Sequence, residues 1–375
     1  MIKRDRPRSS RGRVVFLIWR DTHNPEGGGS ELYGERVAEW LAGDGWDVTV
    51  CCADYPGAVR DEQRDGVRYR RRGGHRTVYL HGLAYLLGRT GRSADMVVDV
   101  QNGVPFLSPL VRRRPIVALV HHVHREQWQI IYPGLQGHIG WWLESRLAPW
   151  LYRRRRYVTV SQSSKADLIG LGVAADRIDI VHNGLDVPHP EHRLPRSTAP
   201  TICVLGRLVP HKQVEHALET AAVLRSSIPD LRVEVVGDGW WHEQLQARAE
   251  ELMVTDLVTF HGAVSDDERD AILDRSWVLL VPSVKEGWGI AIMEAAARGV
   301  PAIAYRSAGG VTESIVDGET GWLVDEFDGL VKRADELLTD RAMRERMGAA
   351  GAQRAADFDW TKAGRRFSEI LNKSR

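Results

Sequence analysis

Short runs of apolar, often β-branched residues recur along this chain. They alternate with stretches whose apolar positions repeat every three to four residues. In the first half Val14–Trp19, Asp47–Cys52, Met96–Val100, Ile116–Val120, Val158–Val160 and Ile178–Val181 read as strands. In the second half Thr201–Leu205, Arg232–Val236, Leu257–Phe260, Val278–Val281 and Ala302–Ala304 do the same. Ser30–Ala42 predicts a helix, with Leu32, Val37, Trp40 and Leu41 on one face and Gly43 ending it. Continuous apolar strands separated by helices describe parallel sheets covered on both faces. Asp186–Thr201 breaks the pattern. It holds Pro188, Pro190, Pro195 and Pro200 without apolar periodicity, and reads as a linker. The 375 residues exceed what one core normally supports, so two doubly wound domains facing across a cleft are expected. Ligands of such sheets bind outside the carboxyl ends of the strands, which directs attention to the cleft.

Composition narrows the class. Hydrophobic residues at 43% and charged residues at 27% suit an ordinary globular chain. No apolar run approaches the ~20 residues of a membrane span. The first twelve residues are basic and polar with no apolar stretch, and are expected to be a disordered tail rather than a secretory signal. Cys51, Cys52 and Cys203 do not make a disulfide framework, and a cytoplasmic setting is expected. Charge is segregated. Through Leu185 there are 28 Lys and Arg against 19 Asp and Glu; from Asp186 onward there are 23 against 31. A basic first half beside an acidic second half suggests different partners for each.

Lys285–Gly310 carries the densest chemistry. Glu286 and Glu294 stand eight positions apart, around the turn Gly287-Trp288-Gly289 and a predicted helix Ile290–Arg298. Backbone N–H groups at a helix amino end suit a phosphate, and a carboxylate one turn deeper suits the two hydroxyls of a ribose. Taken singly, a glycine turn flanked by two acids is unremarkable; the whole block is far more specific. Gly206-Arg207-Leu208 through Lys212 follows the first strand of the second half and offers two cations. Gly27-Gly28-Gly29 opens the helix at Ser30, and His121-His122-Val123-His124 ends the strand Ile116–Val120. The histidines do not read as a metal site, because no carboxylate or cysteine stands at ligand spacing.

These blocks together resemble glycosyltransferase family 4, and the resemblance runs over nearly the whole chain. Its Glu-x7-Glu signature matches Glu286 and Glu294, with Trp288 where a Phe is usual. The resemblance implies a GT-B fold: an acceptor domain at 13–187, a linker at 188–200, a nucleotide-sugar donor domain at 201–357, and a helix at 358–375 returning to the first domain. Carried over by position, it implies that Glu286 and His121 touch the transferred sugar and that Arg207 and Lys212 clamp the diphosphate. Glu294 would hold the ribose. Gly28, Gly29, Gly206, Gly287, Trp288, Gly289 and Ile290 would line the donor. Anomeric configuration would be retained. No metal or other cofactor is expected, because two fixed cations can neutralise a leaving diphosphate.

The implied activity is transfer of a hexose from a UDP- or GDP-linked donor to a hydroxyl acceptor such as a lipid-linked sugar, a polysaccharide precursor or a natural product. The alternative is a non-catalytic sugar-nucleotide-binding subunit of a glycosyltransferase complex. A phosphorylase of the same fold would need a pyridoxal phosphate lysine in a much longer chain. No nucleic-acid partner is expected. Aromatics from Trp128 to Tyr152, followed by Arg153–Arg156, suggest peripheral contact with an anionic membrane, at the inner face of the plasma membrane. The competing expectation is that most of these rings simply pack.

Overall fold

A computed structural model of the chain describes residues 11–113, 115–186 and 193–375. Most of the expected tail and the first part of the linker lie outside these residues, as does Arg114. Two sheets organise the rest. The first holds β1 (Gly12–Leu17), β2 (Trp46–Cys52), β3 (Asp61–Arg64), β4 (Val67–Arg71), β5 (Met96–Gln101), β6 (Ile116–Val120), β7 (Arg156–Thr159) and β8 (Ile178–Ile180). Their order is 3-4-2-1-5-6-7-8, parallel except where β3 runs against β4. The second holds β9 (Thr201–Leu205), β10 (Arg232–Val236), β11 (Val258–Gly262), β12 (Val278–Val281), β13 (Ala302–Tyr305) and β14 (Gly321–Val324), ordered 11-10-9-12-13-14 and parallel throughout. Each is an open doubly wound sheet whose first strand lies beside the switch in strand order.

Helices cover both faces. In the first domain these are α1 (Gly29–Gly43), α2 (Val78–Leu87), α3 (Arg89–Arg92), α4 (Arg125–Ile131), α5 (Leu135–Trp142), α6 (Ala148–Leu151) and α7 (Gln162–Gly170). A π-helical turn at Leu143–Leu147 joins α5 to α6 as one rod. In the second domain they are α8 (Glu215–Leu224), α9 (His242–Glu251), α10 (Asp266–Arg275), α11 (Ile290–Ala297), α12 (Val311–Ser314), α13 (Phe327–Thr339) and α14 (Arg341–Ala355). The last helix, α15 (Trp360–Lys373), crosses back and packs on α1, where Phe367 stacks with Phe16 at 6.1 Å. Trp40 lies against Gly364, where a Cβ would meet its ring at 2.2 Å, so only glycine admits this contact.

Three features depart from expectation. The hairpin β3–β4 was not foreseen. It closes at Asp65-Gly66, both with positive φ, and its inward position Arg71 is a fully buried cation paired with Asp21 at 2.5 Å and Glu62 at 2.7 Å. Edge strand β14 was not foreseen either. The described part of the expected linker is stitched to the second domain: the Leu194 N–H donates to Asp274 at 3.0 Å, and Arg196 donates to the Asp274 and Arg298 carbonyls, each at 2.6 Å.

Candidate active site

The carboxyl ends of β1, β6, β9 and β12 converge on the cleft, and each delivers one of the sequence blocks. On the first-domain side, Gly28 caps α1, and the Glu31 carboxylate accepts from its N–H at 3.0 Å. Glu31 also accepts from the Ser30 hydroxyl at 2.7 Å and lies 3.9 Å from Arg20. A Cβ at Gly28 would sit 3.5 Å from Arg207 Nε, and one at Gly29 would sit 3.2 Å from Ile290. These two glycines are where the first domain meets the donor block of the second.

His121 ends β6. Its ring is buried edge-on against Tyr33, with centroids 5.1 Å apart. Burial lowers its pKa to about 4, with His124 adding to the effect, so the imidazole is neutral at neutral pH. Its Nε2 is buried without a protein partner. A neutral imidazole with a free nitrogen can hydrogen-bond a sugar hydroxyl, but it carries no proton to donate as an acid. The His121 carbonyl accepts from Ser164 Oγ at 2.7 Å and faces Gly287 so closely that a Cβ there would lie 2.8 Å away. The His122 ring turns to Gln127, and His124 pairs with Glu144 at 2.8 Å. Of the three rings, that of His121 has the buried nitrogen without a partner.

The second-domain side carries the charge. Lys212 Nζ reaches Glu286 Oε1 at 2.6 Å, and the Ser283 hydroxyl donates to the same oxygen at 2.7 Å. Arg207 follows Gly206, whose φ of 151° favours glycine. Among the described residues Arg207 forms no ion pair. Desolvation by the cleft walls lowers its pKa, and the largest opposing effect is the Glu31 charge. Gly289, with φ 84°, opens α11. Ile290 and Glu294 are one turn apart on that helix and share a face. Glu294 meets Arg269 of α10 at 3.6 Å, and burial raises its pKa to about 7 although 19% of the side chain remains exposed. Asp270 and Asp266 push in the same direction, while Arg269 opposes them.

One expected donor contact is corrected. The Trp288 side chain does not face the cleft. It is 2% exposed, packs 5.1 Å from Phe358 and stacks on His182, and belongs to the core beneath α1 and α15. Its ring holds the domains together, and only its backbone is left for a donor. Four polar residues escaped the sequence reading: Arg20, Ser283, Arg269 and His211. His211 is buried beside Lys212 with its pKa pushed down to about 3, first by desolvation and then by Lys212 and Arg207. Its neighbour Lys212 was its only signal in the sequence. Among the described residues no group of His, Cys, Asp or Glu is arranged to hold a metal ion, and no helix is long and apolar enough to cross a membrane.

Comparison with known proteins matches both halves. Residues 27–189 match the family described as Glycosyltransferase Family 4, and residues 189–354 match Glycosyl transferases group 1. The chain belongs to glycosyltransferase family 4. It is 34% identical over 186 residues to a GDP-mannose-dependent alpha-(1-6)-phosphatidylinositol monomannoside mannosyltransferase of Mycolicibacterium smegmatis, an overlap of 47% of this chain and 48% of that protein. The chain therefore spans about half the length of that relative. It is 27% identical to an MMP alpha-(1->4)-mannosyltransferase of Mycolicibacterium hassiacum, over 80% of this chain and 75% of the relative. The structure of sucrose-phosphate synthase from Thermosynechococcus elongatus superposes with a TM-score of 0.82 at 18% identity, covering 97% of this chain and 99% of that one. That likeness establishes the GT-B fold.

Proposed function

We propose that this family-4 chain is a retaining glycosyltransferase that moves a hexose from a UDP- or GDP-linked donor to a hydroxyl acceptor. One observation carries the reading: Arg207, Lys212 and the amino end of α11 converge on one side of the cleft, with Glu286 held among them. A leaving diphosphate gains charge as the glycosidic bond breaks, and fixed cations with an oriented helix end stabilise that charge without reorganising. The acceptor hydroxyl would attack the anomeric carbon from the face the diphosphate leaves, and the departing phosphate oxygen would take its proton. Glu286 and the neutral His121 would orient the sugar, and Glu294 would accept from the ribose hydroxyls. The two cations make a metal unnecessary in this scheme, so transfer should survive a chelator.

The printed name of the M. smegmatis relative makes GDP-mannose the first donor to try. A thermal-shift screen of UDP- and GDP-sugars tests the reading, because a ligand that binds only the folded chain raises its Tm. Hydrolysis of the stabilising donor, or its transfer, supports an enzyme. Binding with neither would leave a sugar-nucleotide-binding subunit; no shift with any sugar nucleotide would sink both. Peripheral contact with a membrane is the remaining expectation, and the outer surface of the first domain decides where it would occur.

A further inference from the structure

Helix α2 is built against ordinary surface rules. Its sequence, Val78-Tyr-Leu-His-Gly-Leu-Ala-Tyr-Leu-Leu87, is almost wholly apolar, yet only Val78, Gly82 and Leu86 are buried. Leu80 is 68% exposed, and Leu87 is exposed as well. The helix rests on Phe106 through Gly82 and Tyr79. The loop after Phe106 presents an exposed Leu110 and is tied at Ser108 to Tyr152, next to α6. The rod of α5 and α6 continues the same layer, with Leu135 75% exposed, Ile139 and Trp142 exposed, and Trp150 60% exposed. All of these elements cover one face of the first sheet, the face opposite α1 and α15.

The same layer is basic. Residues 73–154 contain ten arginines and four acids; Arg112 is buried on the Gly91 and Ala94 carbonyls, and Arg114 lies outside the described residues. Two of the acids, Asp99 and Glu144, are buried in internal hydrogen bonds. Arg76, Arg89 and Arg92 flank α2, and Arg153 and Arg154 follow α6. Among the described residues none of these five has an ion-pair partner, and Arg153 lies over the Trp150 ring at 5.1 Å. Of the six aromatics the sequence marked between Trp128 and Tyr152, Tyr152 is buried, and Trp128, Tyr132 and Trp141 are half-buried, so packing does claim most of them. Only Trp142 and Trp150 reach outward, and α2, which composition had not singled out, supplies much of the remaining apolar surface.

We infer that this layer of α2, Leu110, α5 and α6 is a docking face for an anionic lipid bilayer. Exposed leucines and tryptophans bury in the acyl boundary while unpaired arginines stay at the headgroups. A second copy of the chain would bring like charges together. A nucleic acid would leave the aliphatic side chains in water. The layer borders the cleft at its α2 end, where the Trp19 indole donates to the His75 carbonyl at 2.9 Å and Arg20 lies over the Trp19 ring at 4.0 Å. Docking would bring the cleft mouth to the lipid surface. The inference does not depend on the transfer chemistry proposed above.

The test is co-sedimentation of the full chain with vesicles of phosphatidylcholine alone and of phosphatidylcholine mixed with phosphatidylglycerol, at low and high salt. Binding is expected only to the mixed vesicles and should fade with salt. Leu80→Glu combined with Leu87→Glu, and separately Arg89→Glu combined with Arg92→Glu, should each lower partitioning at least ~10-fold while leaving Tm and donor-induced Tm shifts unchanged. Equal binding to neutral vesicles, no binding at low salt, or full binding by both folded variants would overturn the inference, as would displacement of the vesicles by a single-stranded oligonucleotide. Donor-induced shifts are read on the same samples, so a failure of donor binding is visible separately.

Discussion

The two walls of the cleft are built on opposite principles. The second-domain wall holds its position by charge: Lys212 on Glu286, Arg269 on Glu294, and Arg207 without an ion-pair partner beside them. The first-domain wall meets them mostly with backbone and a neutral ring, its charges being Glu31 beside Arg207 and Asp167 on Lys285 at 2.7 Å. Gly28, Gly29 and the uncharged His121 offer close approach and one free ring nitrogen. The difference teaches that electrostatics for a donor phosphate can come from one domain, while the other sets distance. Substitutions on the two walls should therefore fail in different ways.

The largest break should come from the charged wall. Arg207→Ala and Lys212→Ala are each expected to lower kcat/KM for transfer by ~10²–10³-fold, the usual result of removing a fixed stabiliser of developing charge. For Lys212 the loss should fall mainly in kcat, because the diphosphate is most charged in the transition state. Lys212→Ala also deprives Glu286 of its 2.6 Å partner, so the Tm should be measured alongside. A change in KM alone would reduce Lys212 to a ground-state binder.

Where the two walls touch, the sharpest probe is Gly287→Ala. The new methyl would meet the His121 carbonyl at 2.8 Å, and that backbone oxygen cannot swing away as a side chain could. The domains must then shift at the place where sugar and diphosphate would meet. Loss of one to two orders of magnitude in transfer is expected, since small misplacement near the reacting atoms is costly. Donor-induced Tm shifts should persist, because Arg207 and Lys212 are untouched. Loss of donor binding equal to the loss of transfer would mean that the second wall does not act alone.

Much of this arrangement was legible in the sequence, for a physical reason. Buried parallel strands are continuous apolar runs, so most of both sheets could be read directly. The spacing of Glu286 and Glu294 around a glycine turn also survives in one dimension. What was lost depends on partners remote in sequence. Strand β4 was hidden because Arg71, acceptable inside only because Asp21 and Glu62 meet it, shares its inward face with Val67 and Tyr69. Arg269 beside Glu294 comes from a helix with no motif. The exposed apolar face of α2 could not be told from a buried helix by its pattern alone.

Glu294 tests the charged wall more finely. Its carboxyl is raised from an ordinary 4.5 to about 7 by burial, so the unliganded chain holds it partly protonated at neutral pH. Its contribution to stability is complete below about 4.5 and is lost as pH rises through about 7. Glu294→Gln should flatten that part of the stability curve. Ribose hydroxyls donate to the ionised form, so the donor KM should fall as pH rises through about 7, and the variant should show a pH-independent KM raised ~10-fold. A wild-type KM without that inflection would remove Glu294 from the donor site.

The smallest effect on chemistry is expected at Trp288, and it separates the two ways of reading the glycine turn. Position in the motif places this residue on the donor; the structure places its ring between Phe358 and His182, out of the cleft. Trp288→Phe should leave the donor KM within ~2-fold, because the turn's backbone and α11 keep their course. It should also lower stability by about 1–3 kcal/mol, since a smaller ring leaves a void in a close-packed core. Trp288→Ala enlarges the void and should lower Tm further, still with little change in KM at temperatures where the chain stays folded. The opposite pattern, a raised KM with an unchanged Tm, would return the indole to the donor pocket. It would also mean that the seam between α11 and the first domain opens when a sugar nucleotide binds.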